Sequence, residues 1–184
     1  MFKATGGNVL LNVKDILEQA QVSEKMKVAD FGCGASGHFV FPAANMVGTR
    51  GQVYAVDILK TVLSNIEKVA KRENYDNIET VWTNLEIFGA TPIEVSSIDV
   101  ALLVNTLYQS HKRAEIIREV VRTLKSNGRL VIVEWKEIAS PVGPPVEERV
   151  KLNSLKQAAQ KLGLVAEGEF DAGQYHYGIV FTKM

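Results

Sequence analysis

The chain has 184 residues, 46% hydrophobic and 23% charged, with 21 basic residues balanced by 21 acidic ones. That length fits one domain burying about 70% of its unfolded-chain surface, and the balanced charge supplies no field toward nucleic acid or an anionic membrane. A lone cysteine, Cys33, excludes an intrachain disulfide and fits a cytoplasmic location, and no apolar run is long enough to span a bilayer.

In chain order, Val9, Leu10, Val13, Ile16, Leu17 and Ala20 recur at helical spacing and predict an amphipathic helix over 8–20. Residues 26–31 read as a first strand. A glycine-rich loop leads from it into a helix over 37–47, with Pro42 in the first turns, where a missing amide costs least. Residues 48–51 are a turn and 52–56 a second strand. Ile58, Leu59, Val62, Leu63, Ile66, Val69 and Ala70 then mark a second helix, and 78–82 a third strand.

The run 98–104 is almost wholly apolar, as expected of a central parallel strand covered on both faces. Ile116, Ile117, Val120, Val121 and Leu124 predict a helix over 111–124 with Ser110 as its N-cap. Lys112, Arg113, Arg118, Arg122 and Lys125 fit its wet face. Asn127 and Gly128 predict a turn into a fifth strand, 129–135.

Residues 136–149 hold Pro141, Gly143, Pro144 and Pro145 and read as a loop. It is longer than most connections and able to close over a ligand. A helix over 150–162 stops at Gly163, and residues 171–174 form the turn of a closing hairpin between 164–170 and 175–182. Alternating strands and helices predict an α/β, doubly wound, mostly parallel sheet.

One stretch carries chemistry. Gly32, Gly34 and Gly37 form G-x-G-x-x-G directly after the first strand, and Asp57 ends the second strand twenty residues after Gly37. Such a loop lets main chain approach a nucleoside-like ligand, and the spaced acid can accept from ribose hydroxyls. The carboxyl ends of the strands bring 30–37, 57–58, 83–85, 105–109 and 134–135 to one crevice.

Asp30, two residues before Gly32 and followed by Phe31, Gly32, Cys33 and Gly34, resembles motif I of the class I S-adenosylmethionine-dependent methyltransferases. The stretch 124–135 is similar to the Leu-Lys-Pro-Gly-Gly turn and fifth strand of the ubiquinone/menaquinone-biosynthesis-type methylases, with Ser126 for proline and Asn127 for glycine. The resemblance implies one methyltransferase domain over 1–184, with seven strands in the order 3-2-1-4-5-7-6 and the seventh antiparallel. It also implies S-adenosyl-L-methionine as cofactor.

On this resemblance the cofactor-binding residues are Asp30, Gly32, Cys33, Gly34, Gly37, Asp57, Ile58, Asn84, Leu85 and Asn105. Asp30 orders the loop or reaches the methionine amino group. Asp57 takes the ribose, Ile58 lies against adenine, and Asn84 accepts from its amino group where relatives often carry Asp. Asn105 lines the methionine side, and Cys33 packs as a small hydrophobe.

The acceptor is expected to be a small molecule facing Tyr108 and His111, the catalytic candidates. His38 and His176 complete the histidines, and no pair has the spacing of a zinc site, so no metal is expected. Three alternatives stand beside this reading: a binding module that transfers nothing, an NAD(P)-dependent oxidoreductase, and an RNA methyltransferase, the last disfavoured by the neutral charge.

Overall fold

Apolar runs form five parallel strands: β1 (Lys27–Phe31), β2 (Gln52–Asp57), β3 (Ile78–Trp82), β4 (Ile98–Val104) and β5 (Leu124–Trp135). A hairpin of β6 (Leu164–Gly173) and β7 (His176–Lys183) completes one seven-stranded sheet. Its order is β3-β2-β1-β4-β5-β7-β6, and β7 is antiparallel to both neighbours. The computed structural model describes residues 10–184.

Five helices wind about the sheet: α1 (Val13–Gln19), α2 (Val40–Val47), α3 (Lys60–Arg72), α4 (Arg113–Thr123) and α5 (Leu152–Lys161). Side-chain alternation along the strands sorts the interior into two cores. Val100, Leu102, Val131 and Val133 meet Ile16, Leu17, Val40, Ala44 and Ile66 from α1, α2 and α3. Ala101, Leu103, Leu130 and Ile132 meet Ile117, Val120, Leu155 and Ala159 from α4 and α5. Both faces of β4 and β5 are therefore dry, which is why these strands read as continuous apolar runs.

Local chemistry moved several boundaries. The Asn12 side chain accepts from the Asp15 amide at 3.4 Å, so the first helix begins at Val13; Val9 lies outside the described residues. Ser110 does not cap α4. Its hydroxyl donates to Glu86 Oε1 at 2.6 Å and accepts from the Lys112 amide at 2.9 Å, a tight local turn that delays the helix to Arg113.

The expected turn at Asn127 and Gly128 lies inside β5. Pairing already starts at Leu124 opposite Ile98, shifts register before Val100, and Asn127 absorbs the irregularity at φ +62°. In the hairpin, pairing continues to Gly173, so the reversal falls on Gln174 and Tyr175 rather than 171–174.

Candidate active site

The loop after β1 is tied down by its own main chain. Gly32 and Cys33 donate their amides to the Val56 carbonyl at 2.8 and 3.1 Å, Gly37 donates to Gly34 at 3.2 Å, and Gly34 donates to Asp57 Oδ2 at 3.2 Å. The glycines are needed for different reasons. At Gly32 (φ +83°) a Cβ would sit 2.5 Å from Thr106 Oγ1, so this glycine lets β1 and the tip of β4 close up. At Gly37 a Cβ would strike Phe41 and Ile66, which is helix packing. Gly34 faces open space.

Asp57, only 8% exposed, also accepts from the Leu59 amide at 2.9 Å, so one carboxylate joins the first two loops. It opens onto a cleft of about 370 Å³, within the range of small-molecule sites. Of the residues expected from sequence, Gly32, Gly34, Asp57, Ile58, Asn84 and Leu85 line it. Asp30 is buried beneath (2% exposed), and Cys33 lies in the core, its thiol pushed far up by burial. Asn105 is buried with φ +52°, its amide on Val133 O at 2.9 Å and its carbonyl accepting from Gln109 Nε2 at 2.7 Å.

Tyr108 and His111 face elsewhere. With Arg113, Glu147 and Glu148 they line a second cavity of about 480 Å³, which meets the cleft at Gln109. His176 is wholly buried, its ring 4.1 Å from that of Trp135. Among the described residues no cluster of three or more metal-ligating side chains occurs.

Sequence reasoning missed Leu59, Val62, Glu86 and Ile116 as cleft-lining residues. Glu86 follows Asn84 and Leu85, so the end of β3 could have pointed to it; Ile116, a helix-core residue by spacing, gave no such signal. Glu134, placed at the crevice as the end of the fifth strand, is fully buried and accepts from the Leu107 and Tyr108 amides at 2.7 and 3.3 Å, a role the sequence reading did not assign. Arg149 (3% exposed) closes the proline-rich loop on itself: its guanidinium donates to Lys136, Ile138 and Pro144 carbonyls and to the Ser140 hydroxyl at 2.6–3.0 Å.

The cleft is acidic. Among the described residues no lysine or arginine lines it, whereas Asp57 and Glu86 do; Lys112 reaches Glu86 from outside the cleft at 3.4 Å. Below them, burial and then the charge of Asp57 push the Asp30 carboxyl up to about 7, and its Oδ2 has no hydrogen-bond partner among the described residues. Glu86 is held below the ordinary carboxylate range, chiefly by the Ser110 hydroxyl. Such a wall favours a cation.

A model of the methyltransferase domain matches residues 22–177. The chain belongs to the methyltransferase-domain family. Curated relatives agree: a demethylmenaquinone methyltransferase of Lactococcus lactis is 28% identical over 64% of this chain and 45% of its own length. A ubiquinone/menaquinone biosynthesis C-methyltransferase of Shewanella sediminis is 27% identical over 88% of this chain and 61% of its own. The chain thus spans roughly half to three-fifths of these relatives.

Among solved structures, a SAM-dependent methyltransferase from Aquifex aeolicus superposes with a TM-score of 0.86 at 21% identity, over 99% of this chain and 94% of that one. The fold is therefore that of the S-adenosylmethionine-dependent methyltransferases, as is the strand order with its antiparallel seventh strand. The [4+2]-cyclase SpnF shares it as well, with a TM-score of 0.78 at 13% identity over 93% of this chain and 79% of that one. Membership of this methyltransferase-domain family gives a scaffold, and the chemistry has to be argued from the site. No helix among the described residues is long and apolar enough to cross a membrane.

Proposed function

We propose that this methyltransferase-domain protein binds S-adenosylmethionine in the cleft and transfers its methyl group to a small-molecule acceptor. One observation carries the donor assignment: the buried Asp30, whose Oδ2 has no hydrogen-bond partner among the described residues, lies beneath a cleft lined by Asp57 and Glu86. Such a cleft opposes a dinucleotide's pyrophosphate by charge. A ligand carrying ammonium and sulfonium charges suits it.

The residues present fit that cofactor. Asp57 would accept from the ribose, with Gly34 leaving room for the methionine portion where a Cβ meets nothing. Ile58, Asn84 and Leu85 would wall the adenine, and Asp30 lies beneath as a buried acid that a cation would ionise. When bound, the sulfonium supplies a methyl group with its leaving group built in.

The protein's remaining task is to hold an acceptor in line and keep water out. The cavity flanked by Tyr108 and His111 meets the cleft at Gln109 and is the acceptor side. Burial, with the charges of Glu134 and Glu148, raises the Tyr108 hydroxyl, so near neutrality it stays protonated and serves as a hydrogen-bond donor rather than a base. The loop 136–149, bolted by Arg149, borders this side. The curated relatives' printed roles in ubiquinone and menaquinone biosynthesis make an electron-rich aromatic ring the first acceptor to try. A single, buried thiol suits work in the reducing cytoplasm.

Calorimetric titration tests the donor. S-adenosylmethionine should bind, and Asp57→Ala should weaken it about 100-fold or more, since the charge-assisted ribose bonds and the tie to Gly34 go together. Binding of NADH in place of S-adenosylmethionine would overturn the assignment. Labelled-methyl transfer to candidate aromatics then separates an enzyme from a module that only binds.

A further inference from the structure

Glu134 is a carboxylate where the fold has no obvious need of one. It points from β5 into the core shared with α4 and α5, since it follows Leu130 and Ile132 on that face, and its cross-strand partner is Tyr177. It is fully buried, and no salt bridge reaches it among the described residues. Oε1 accepts the Leu107 amide at 2.7 Å and the Tyr108 amide at 3.3 Å, while Oε2 has no hydrogen-bond partner among the described residues.

The two amides belong to the 3-10 turn Leu107–Gln109, which closes the carboxyl end of β4. Thr106, Gln109 and Ser110 of this segment line the cofactor cleft, and Tyr108 lines the cavity beside it. Resting on the methyl-donor reading above, we propose that Glu134 is a positioning residue: its carboxylate clamps the Thr106–Ser110 wall from below, and its charge state sets how firmly that wall is held.

The surroundings explain why the clamp is adjustable. A second buried carboxylate, Glu119 on α4, accepts from the Gly89 and Thr91 amides at 2.7 and 2.9 Å, and Arg122 pairs with it at 2.8 Å. The Arg122 guanidinium and those amides outweigh burial and hold Glu119 down to about 2, so that clamp stays ionised. Glu134 has no such cation. Burial dominates and pushes it up to about 7, against the opposing pull of the Leu107 and Tyr108 amides, of Arg113 at a distance, and of the Thr106 amide.

The ionisable groups around Glu134 are few. Arg113 at the start of α4 spends its guanidinium on the Leu107, Ser110 and Glu148 carbonyls at 2.7–3.1 Å. Tyr108 faces Glu134 from the turn and Tyr177 from β7, both phenols raised by burial and by the Glu134 charge; Glu148 and Glu137 add to these shifts. A carboxylate grips amides more strongly than a neutral acid does, so the wall tightens as pH rises through neutrality.

The test has two arms. In isotopically labelled full-length protein without ligand, the Leu107 and Tyr108 amide resonances should titrate together with a midpoint near 7, and Glu134→Gln should abolish that titration. In the second arm, S-adenosylhomocysteine is the binding probe. Glu134→Ala should weaken it about tenfold by leaving two amides unpaired. Glu134→Gln, which keeps a carbonyl acceptor, should stay within about threefold of the parent at neutral pH and lose the part of the pH dependence that an Asp30→Asn background retains.

Amides that do not titrate, or that titrate equally in Glu134→Gln, overturn the proposal, as does unchanged affinity in Glu134→Ala. If the parent protein binds neither S-adenosylmethionine nor its demethylated product, the donor reading falls, while the amide titration still decides whether the clamp exists.

Discussion

The two halves of the crevice are built by opposite means. On the β1–β2–β3 side the walls are main chain: three glycines at positive φ in a loop whose Gly32, Cys33, Gly34 and Gly37 amides are tied to Val56, Asp57 and Gly34. On the β4–β5–β7 side the walls are ordinary loops held by single buried charged side chains, Glu134 under the 107–109 turn and Arg149 inside the proline loop. A wall made by backbone conformation demands particular residue types at fixed spacing. A wall held by a side-chain clamp demands only one residue, far away in the chain.

That contrast can be broken first at Arg149. Removing its guanidinium strips five hydrogen bonds from carbonyl and hydroxyl partners in one loop. With charged-group bonds worth about 1.5–3 kcal/mol each and water replacing part of the loss, Arg149→Ala should cost on the order of 4 kcal/mol in urea unfolding. Rapid hydrogen exchange should appear at 136–149, while S-adenosylmethionine affinity changes little. Equal damage to both halves would mean that they are not separately built.

The next effect falls where the halves touch. Gly32→Ala places a methyl 2.5 Å from Thr106 Oγ1 at a residue with φ +83°. Strain and overpacking together should cost about 3 kcal/mol, read as a lower melting temperature, and cofactor affinity should fall with it. Thr106→Ala, which removes both crowding atoms, Oγ1 and Cγ2, should restore part of both. Gly34→Ala, with open space before it, should lose affinity without a comparable clash.

The smallest effect sharpens the comparison, because each half holds one buried acid pushed up to about 7: Asp30 and Glu134. In the unfolded chain each ionises near 4, whereas the folded protein keeps both protons to about 7. Their stabilising contribution is therefore full below pH 4 and declines until it is lost above about 7. Asp30→Asn and Glu134→Gln should each remove part of the fall in unfolding free energy between pH 5 and 8. Each should also remove part of the gain in ligand affinity as pH rises: Glu134→Gln the part that comes from the tightened wall, and Asp30→Asn the part that comes from its charge meeting a cationic ligand.

How much was legible follows the same division. The sheet could be read through β5 and the closing hairpin because β4 and β5 are dry on both faces and the helices keep an apolar stripe. The glycine loop and Asp57 could be read because their geometry restricts residue choice. Glu134 could be placed at a strand end facing the crevice, but its partners lie 27 and 26 residues away, so nothing local announced its hydrogen bonds. Arg149 follows two glutamates in a proline-rich loop, and no local pattern marks its guanidinium as buried. Ser110 had the right residue type for a helix cap, and only the Glu86 carboxylate across the cleft diverted it.

The insertion of β7 between β5 and β6 has a further consequence for how the chain matures. During vectorial synthesis, β1 through β5 can associate as they emerge, yet the far side of β5 must wait, unpaired, until His176–Lys183 has been translated. Over that interval a long row of valine and isoleucine with open amides is offered to any neighbouring nascent strand. Slow codons or missing chaperones in that window would show up as aggregation, even in variants whose finished form is fully stable.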